Sequence, residues 1–136
     1  DDFVAQRRRL QARYDSLLAD LPVITPYQAK ECDSTLHLYP IQLQLEHISL
    51  TQAEVFTRMR EQELGVNIHY IPVHTQPYYQ ALGFKHGDFP NAERYYERAL
   101  SLPLFHGMTD KEQDRVVDIL SRILKVKSKY QFSQAG

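Results

Sequence analysis

Apolar side chains recur at the spacing of an α-helix near both ends of the chain. The first stripe, in residues 3–21, stops before Pro22 and consists of Phe3, Leu10, Tyr14, Leu17, Leu18 and Leu21. The second follows a capping box at Thr109 and Glu112 and consists of Val116, Val117, Leu120, Ile123 and Leu124. The lysines beyond it suit the negative end of a helix dipole: Lys125, Lys127 and Lys129. We predict a helix over each stripe and a frayed end over residues 130–136.

Three segments have the alternation or the apolar content of β-strands. Residues 35–45 alternate, but the apolar positions change parity at Tyr39 and Pro40. Because proline cannot donate to a strand ladder, we expect a bulge or an edge position there. Residues 66–71 alternate without interruption, and residues 100–105 form a short apolar run. We predict a strand over each of the three segments.

Further helices are predicted between these strands. A second capping box, Thr51 with Glu54, begins a helix that we expect to end at Gly65. A short helical piece is expected over residues 78–82, and Pro90 suits the first position of another helix. The side chains expected on the inner face of that last helix are Ala92, Tyr95, Tyr96 and Ala99.

The predicted order of elements is α-β-α-β-α-β-α. It favours an α+β fold, with a small sheet of about three strands covered by helices. The connection through residues 72–90 is too irregular for repeated parallel crossovers, and the length of residues 1–136 fits a single domain. The first helical stripe has no capping residue in front of it. We therefore expect that the native helix starts earlier and that the chain is part of a longer protein.

Composition narrows the classes of function. The chain of 136 residues is 43% hydrophobic and 24% charged, which is enough to build a core. A net charge of −1 gives no electrostatic footprint for nucleic acid. No apolar run approaches the length of a membrane span, and the single cysteine, Cys32, permits no disulfide within the chain. We expect a cytoplasmic protein without nucleic-acid or membrane partners.

Residues 65–107 have the most unusual composition, because they combine histidines, tyrosines and prolines. Prolines fix the backbone path, while tyrosine and histidine offer flat apolar rings with polar tips. Such a segment suits a rigid polar surface against a ligand or another domain.

Metal binding is the first chemistry to weigh for these histidines. Pro72 separates His69 from His74, and no cysteine or carboxylate joins them at ligand spacing. We therefore expect no metal site and favour a cleft lined by these two side chains. Surface or turn positions are expected for the other histidines, which are His37, His47, His86 and His106.

Covalent catalysis finds no candidate residue. Cys32 lies between two acids that disfavour its thiolate, and no nucleophile-elbow motif is present. A Schiff base needs a lysine in a partly desolvated pocket, whereas every lysine here falls in a polar loop, a turn or a helix end. Residues 91–103 are similar to one helix of a tetratricopeptide repeat, but no matching copy stands one repeat length upstream.

Two stretches carry a more specific signal: HYIPVHTQPYYQALGF and GDFPNAERYYERALSLPLFHGMTDKEQDRVVDIL. They resemble the C-terminal part of the DegT/DnrJ/EryC1/StrS sugar-nucleotide aminotransferases. Near the start of the chain, RRRLQARYDSLLADLP resembles the helix that enters the small domain of that family. The resemblance covers nearly the whole chain and is greatest to the members that act in pseudaminic acid biosynthesis.

The resemblance implies a pyridoxal-phosphate aminotransferase of fold type I that works as a homodimer. Such an enzyme moves an amino group from L-glutamate to a UDP-linked 4-keto-6-deoxy sugar. The lysine that holds the cofactor, the acid beside it and the phosphate-binding residues belong to the large N-terminal domain of the family. None of those motifs is present here, so the resemblance implies the C-terminal small domain, which alone should bind no cofactor and be inactive.

The resemblance also implies where this domain meets the nucleotide-sugar. The expected contact residues are His74, Gln76, Pro77, Tyr78 and Tyr79, with His69 and Tyr70 behind them. Their roles would be hydrogen bonds to sugar or phosphate oxygens and ring contacts. Alternatively, Tyr78 and Tyr79 anchor the small domain to the large one. The alternative function is a stand-alone module that binds a nucleotide-sugar or a protein without catalysis.

Overall fold

A three-stranded antiparallel sheet forms the framework of the computed structural model, which describes residues 2–124. The strands are β1 (Val23–Ile24), β2 (Tyr39–Leu43) and β3 (Ala99–Leu102), in the order β1-β2-β3. The central strand β2 pairs with β3 through four residue pairs and with β1 through two. The α+β class and the small sheet predicted from the sequence are confirmed.

Pro40 lies inside the central strand without a bulge, opposite Ser101 of β3. The Leu43 N–H donates to Arg98 on the β3 side, and the Gln44 N–H donates to Pro22 on the β1 side. Successive N–H groups along a strand point to opposite neighbouring strands, so the backbone nitrogen of Pro40, which has no hydrogen to donate, faces the β1 side. The pairing of β1 with β2 ends at Ile24 and Gln42, before it reaches Pro40. The proline therefore occupies a local edge position, one of the two outcomes expected from the sequence.

Five α-helices surround the sheet: α1 (Asp2–Leu17), α2 (Gln52–Glu61), α3 (Pro77–Ala81), α4 (Pro90–Tyr96) and α5 (Asp110–Ile123). Two 3-10 turns, Leu45–His47 and Val73–Thr75, complete the described elements. Both capping boxes are formed, at Thr51 with Glu54 and at Thr109 with Glu112. Pro90 occupies the first turn of α4, as its fixed φ angle favours.

One core joins the helices to the sheet. Fully buried side chains come from α1, α2, α5, β2 and β3, including Leu10, Ile41, Met59, Leu100 and Leu120. Both predicted helical stripes face this core, except that Phe3 is exposed and that Leu18 and Leu21 are buried in the turn after α1. On the surface, the arginines of α1 form ion pairs: Arg8 with Asp33, Arg9 with Asp110 and Arg13 with Asp114. These arginines are part of a solvated helix face.

The strand predicted over residues 66–71 is not formed. Only Asn67 pairs with the sheet, through two backbone hydrogen bonds to Ser101 at the outer edge of β3. The strand β3 ends one residue later at Leu102, so the chain has no further partner and turns away towards Pro72. The apolar alternation reflected the packing of a loop against the core.

Further details differ from the sequence predictions. Helix α1 ends at Leu17 and not at residue 21, and the strands β2 and β3 are shorter than the predicted segments 35–45 and 100–105. Ala99, expected on the inner face of α4, begins β3. Helix α2 ends at Glu61, because Glu63 adopts a left-handed φ of 59° and Leu64 donates back to the Met59 carbonyl, as in a Schellman motif. The buried residue of α4 is Glu93, whereas Ala92 is exposed and Tyr95 and Tyr96 are half-buried. Strand β1 was not predicted, since two residues carry no alternation. Lys125, Lys127, Lys129 and residues 130–136 lie outside the described residues.

No helix within residues 2–124 is long and apolar enough to cross a membrane.

Candidate functional site

The candidate site is the irregular connection from the edge of β3 to α4, called here the aromatic loop (residues 69–89). Pro72 begins the 3-10 turn Val73–Thr75, and the Thr75 hydroxyl donates to the Pro72 carbonyl at 2.7 Å. Pro77 then starts α3. Gly83 and Gly87 follow with φ values of 101° and 97°, a region that glycine adopts without strain. These prolines and glycines therefore fix the backbone of residues 69–89 in turns and short helices and not in a β-strand.

The outer surface of the aromatic loop exposes large apolar side chains. Tyr70 is 71% exposed and Tyr78 is 70% exposed, and the others are Ile71, Val73, Tyr79, Leu82, Phe84 and Phe89. The Tyr78 and Tyr79 rings meet edge to face with centroids 5.3 Å apart. This clustering on one loop is more than the scattered exposure common on protein surfaces, and it marks a candidate contact surface.

A buried ionic cluster lies beneath this surface. The carboxylate of Glu93, which is 6% exposed, lies 2.6 Å from His74 Nε2 and accepts hydrogen bonds from the Gly87 N–H at 2.8 and 3.0 Å. His86 Nε2 approaches the other carboxylate oxygen to 3.2 Å. Burial alone would raise the pKa of Glu93, but the Gly87 N–H, His74 and His86 outweigh it, so this pKa is lowered and the carboxylate is ionised.

Beside the cluster is a shallow apolar groove of about 340 Å³, lined by Pro72, Val73, His74, Tyr79, Phe84, Phe89 and Ala92. His74 forms part of its wall, with its ring 4.8 Å from that of Phe89. The groove can accept an apolar or aromatic group of a ligand. Hydrogen bonds to such a ligand would come from polar atoms around the groove.

The structure separates His69 from His74. His69 lies in a second cavity of about 480 Å³ against β3 and α5, and its Nδ1 lies 2.8 Å from the Ser101 hydroxyl. Tyr70 contacts the His69 ring and points to solvent. Of the predicted contact residues, His74 and Tyr79 share the groove, while Gln76, Pro77 and Tyr78 are exposed beside it. Whether these residues contact a substrate stays a prediction.

Two residues of these clusters were not anticipated from the sequence. Glu93 stands in a charged stretch between Ala92 and Arg94 that resembles a solvated helix, and nothing local distinguishes it from Glu97. Ser101 is buried in β3, where a small polar residue gives no sign of a histidine partner. Only long-range contacts reveal either residue.

The described residues do not fit a pyridoxal-phosphate site. Lys30, Lys85 and Lys111 are all exposed, and none of them lines the groove or the cavity at His69. An amine that forms a Schiff base needs a partly desolvated pocket. Within residues 2–124 there is also no group of three or more histidine, cysteine or acidic side chains that could hold a metal ion.

The chain belongs to the DegT/DnrJ/EryC1/StrS aminotransferase family, whose model matches residues 1–121. The spore coat polysaccharide biosynthesis protein SpsC of Bacillus subtilis is 37% identical over 128 residues, which are 92% of this chain and 33% of SpsC. The chain spans about a third of the length of the curated relatives it matches.

Solved structures share the fold. DesV of S. venezuelae, solved in complex with a ketimine intermediate, is 26% identical with a TM-score of 0.82, covering 93% of this chain and 33% of DesV. Helicobacter pylori PseC, described as an aminotransferase of pseudoaminic acid biosynthesis, is 19% identical with a TM-score of 0.80. That match covers 90% of this chain and 33% of PseC, and at this identity it indicates the fold alone.

Proposed function

We propose that this chain is the C-terminal small domain of a pyridoxal-phosphate-dependent sugar aminotransferase. The observation that carries the proposal is the match to the aminotransferase family over residues 1–121. The relatives are about three times as long as this chain, which leaves room for a cofactor-binding domain of the kind that the exposed lysines here do not supply. The proposal locates the cofactor in that larger part.

The proposed reaction is transfer of an amino group from L-glutamate to a UDP-linked 4-keto-6-deoxy sugar, in a cytoplasmic homodimeric enzyme. Within the family we favour the UDP-4-amino-4,6-dideoxy-N-acetyl-β-L-altrosamine transaminase of pseudaminic acid biosynthesis. The resemblance of HYIPVHTQPYYQALGF to the pseudaminic acid members of the family supports this choice. The similarity to SpsC, a protein of spore coat polysaccharide biosynthesis, supports it as well. PseC contributes similarity of fold.

The aromatic loop supplies the proposed contact with the nucleotide-sugar. Gln76 and Tyr78 present polar atoms on an exposed surface, and Tyr79 forms one wall of an apolar groove. Hydrogen bonds to sugar or phosphate oxygens, together with ring contacts, fit this arrangement. His74 is buried against Glu93 and supports the contact surface from its inner side. His69 and Tyr70 contact each other at the start of the loop and border the surface there.

The test of the proposed function uses the enzyme of full length that contains this chain. Incubated with pyridoxal phosphate, L-glutamate and the UDP-4-keto sugar, it should form the amino sugar, detected by mass spectrometry. The chain of 136 residues alone should form none, and borohydride should attach pyridoxal phosphate to no single lysine in it. Stoichiometric labelling of one lysine in the chain alone would overturn the assignment of the cofactor to a larger part.

The contact surface is tested in the same enzyme by Tyr78→Ala, with Tyr27→Ala as the matched control because Tyr27 is also exposed. The KM for the nucleotide-sugar should rise about tenfold in the first variant, with cofactor loading unchanged, since only uniform binding is removed. Unchanged sugar kinetics in Tyr78→Ala would leave the loop as a scaffold only.

The second candidate function is a binding module without catalysis. It is favoured by the exposed aromatic surface on a chain whose lysines are all solvated in the described part. Titration calorimetry of UDP-sugars against the chain of 136 residues separates the two functions. Micromolar binding by the chain alone supports the module, whereas a site completed by a larger domain predicts no measurable binding.

A further inference from the structure

Glu93 is the buried charged residue on a helix whose neighbouring positions face solvent. Ala92 and Arg94 are exposed on either side, while the Glu93 carboxylate is withdrawn beneath the aromatic loop. A buried carboxylate is costly unless donors compensate its charge. Both of its oxygens meet such donors, so the helix contributes one deeply placed anion.

The donors come from two separate parts of the aromatic loop. His74 lies in the 3-10 turn Val73–Thr75, nineteen residues before Glu93, whereas Gly87 and His86 lie in the turn that leads into α4. The carboxylate therefore ties the start of the loop to its end. Because an ionised carboxylate only accepts hydrogen bonds, His74 must carry a proton on Nε2 to donate to it.

A chain of ring contacts leads from this cluster to the exposed surface. The His74 ring contacts Phe89 at 4.8 Å between centroids, and Phe89 contacts Phe84 at 6.1 Å. Phe84 contacts Tyr79 at 6.3 Å, and Tyr79 contacts Tyr78 at 5.3 Å. These contacts connect the His74 ring by packing to the tyrosines of the exposed surface.

We propose that Glu93 is a positioning residue, whose carboxylate holds His74 and the Gly87 turn and so sets the shape of the surface formed by Tyr78 and Tyr79. It acts through these residues and does not itself contact a ligand. That the surface binds a nucleotide-sugar rests on the proposed function. The ordering of the loop by Glu93 does not.

The decisive variant is Glu93→Gln, with Glu97→Gln at the C-cap of α4 as the matched control, since Glu97 is exposed. Both oxygens of the Glu93 carboxylate contact hydrogen-bond donors. The Gln side chain has the same shape but only one oxygen, so its NH₂ group must face one of these donors and lose that hydrogen bond. The amide of Gly87 should exchange with solvent at least about tenfold faster in Glu93→Gln, because its charged acceptor is lost. The control should leave that rate within about twofold.

Two measurements keep the inference testable even if Glu93→Gln unfolds the chain. His86 is 78% exposed, so His86→Ala should fold normally and still raise Gly87 exchange by about threefold, through loss of one partner of the same carboxylate. In the unaltered chain, ¹⁵N spectra of the imidazoles should find His74 protonated on Nε2. Unchanged Gly87 exchange in both variants, or a His74 ring protonated on Nδ1 alone, would overturn the proposal.

Kinetics of the full-length enzyme then test the consequence for binding. Glu93→Gln should raise the KM for the nucleotide-sugar about tenfold while kcat changes by less than about threefold. A loosened loop with an unchanged KM would overturn the role of Glu93 at the binding surface. If the unaltered enzyme shows no transamination but Glu93→Gln still speeds Gly87 exchange, the proposed function is wrong and the positioning role of Glu93 is supported.

Discussion

Three Tyr→Phe substitutions remove the same hydroxyl from three different environments. The Tyr14 hydroxyl donates to the Pro103 carbonyl at 3.0 Å and joins α1 to the chain that leaves β3. The Tyr39 hydroxyl donates to an Asp15 carboxylate oxygen at 2.5 Å. Tyr27 is 86% exposed and serves as the control. Because the ring is kept in each case, packing is held constant and the hydroxyl alone is tested.

The expected costs follow from the partners. A neutral hydrogen bond contributes about 1 kcal/mol and one to a charged group about 2 kcal/mol, so Tyr39→Phe should destabilise the fold more than Tyr14→Phe. Tyr27→Phe should change the free energy of unfolding by less than about 0.5 kcal/mol. The environments are reflected in the tyrosine pKa values, which burial raises at Tyr14 and which burial and Asp15 both raise at Tyr39.

Urea unfolding followed by circular dichroism measures the series. With a slope near 1.5 kcal/mol per molar, the midpoint should fall by about 1.3 M for Tyr39→Phe and about 0.7 M for Tyr14→Phe. The control midpoint should stay within about 0.3 M of the unaltered chain. A loss at Tyr14 no larger than at Tyr27, with equal slopes, would refute the reasoning that its buried hydrogen bond stabilises the fold.

Three further predictions concern the helix caps, the dependence of stability on pH, and surface association. Thr51→Ala and Thr109→Ala should each cost about 1 kcal/mol in urea unfolding, because each removes the side-chain acceptor of a capping box, and costs near zero would contradict the observed caps. The pKa values of Glu54 and Glu112 are lowered, chiefly by hydrogen bonds from the capping threonines. Their contribution is therefore complete above about pH 4.5 and lost as the pH falls further, so Gln at both positions should flatten the acid limb of the stability profile. The chain should self-associate through its exposed aromatic rings at high concentration. Tyr70→Ser should then lower the weight-average mass measured by sedimentation equilibrium, and an unchanged mass would contradict association through this surface.

Sequence reasoning succeeded where the signal was local. The capping boxes at Thr51 and Thr109 were predicted to the residue, because their hydrogen bonds join positions only three apart. The stripes of α1 and α5, apart from the exposed Phe3, and the small α+β sheet were also confirmed. In each of these elements, local periodicity and burial agree.

It failed where pairing or burial depends on a distant partner. The alternation in residues 66–71 suits a strand, but the edge of β3 offers only Ser101 as a partner for Asn67. The end of α2 was expected at Gly65, yet the left-handed position is taken by Glu63, at the cost of backbone strain that glycine would avoid. The burial of Glu93 was not predicted, because its hydrogen-bond donors, His74 and Gly87, lie on a loop whose path cannot be read from sequence patterns.

The four histidines of residues 65–107 illustrate why composition alone cannot define the candidate site. His69 meets Ser101 beside β3, His74 is buried on Glu93, His86 reaches the same carboxylate from the surface, and His106 packs against Phe3 of α1. Residues of one type thus have four environments, and within residues 2–124 none of them belongs to a group of side chains that could hold a metal ion. Two of them, His74 and His86, contact one group, the Glu93 carboxylate that joins the two ends of the aromatic loop. Under the proposed function, the histidines, tyrosines and prolines of this segment shape the contact surface for the nucleotide-sugar.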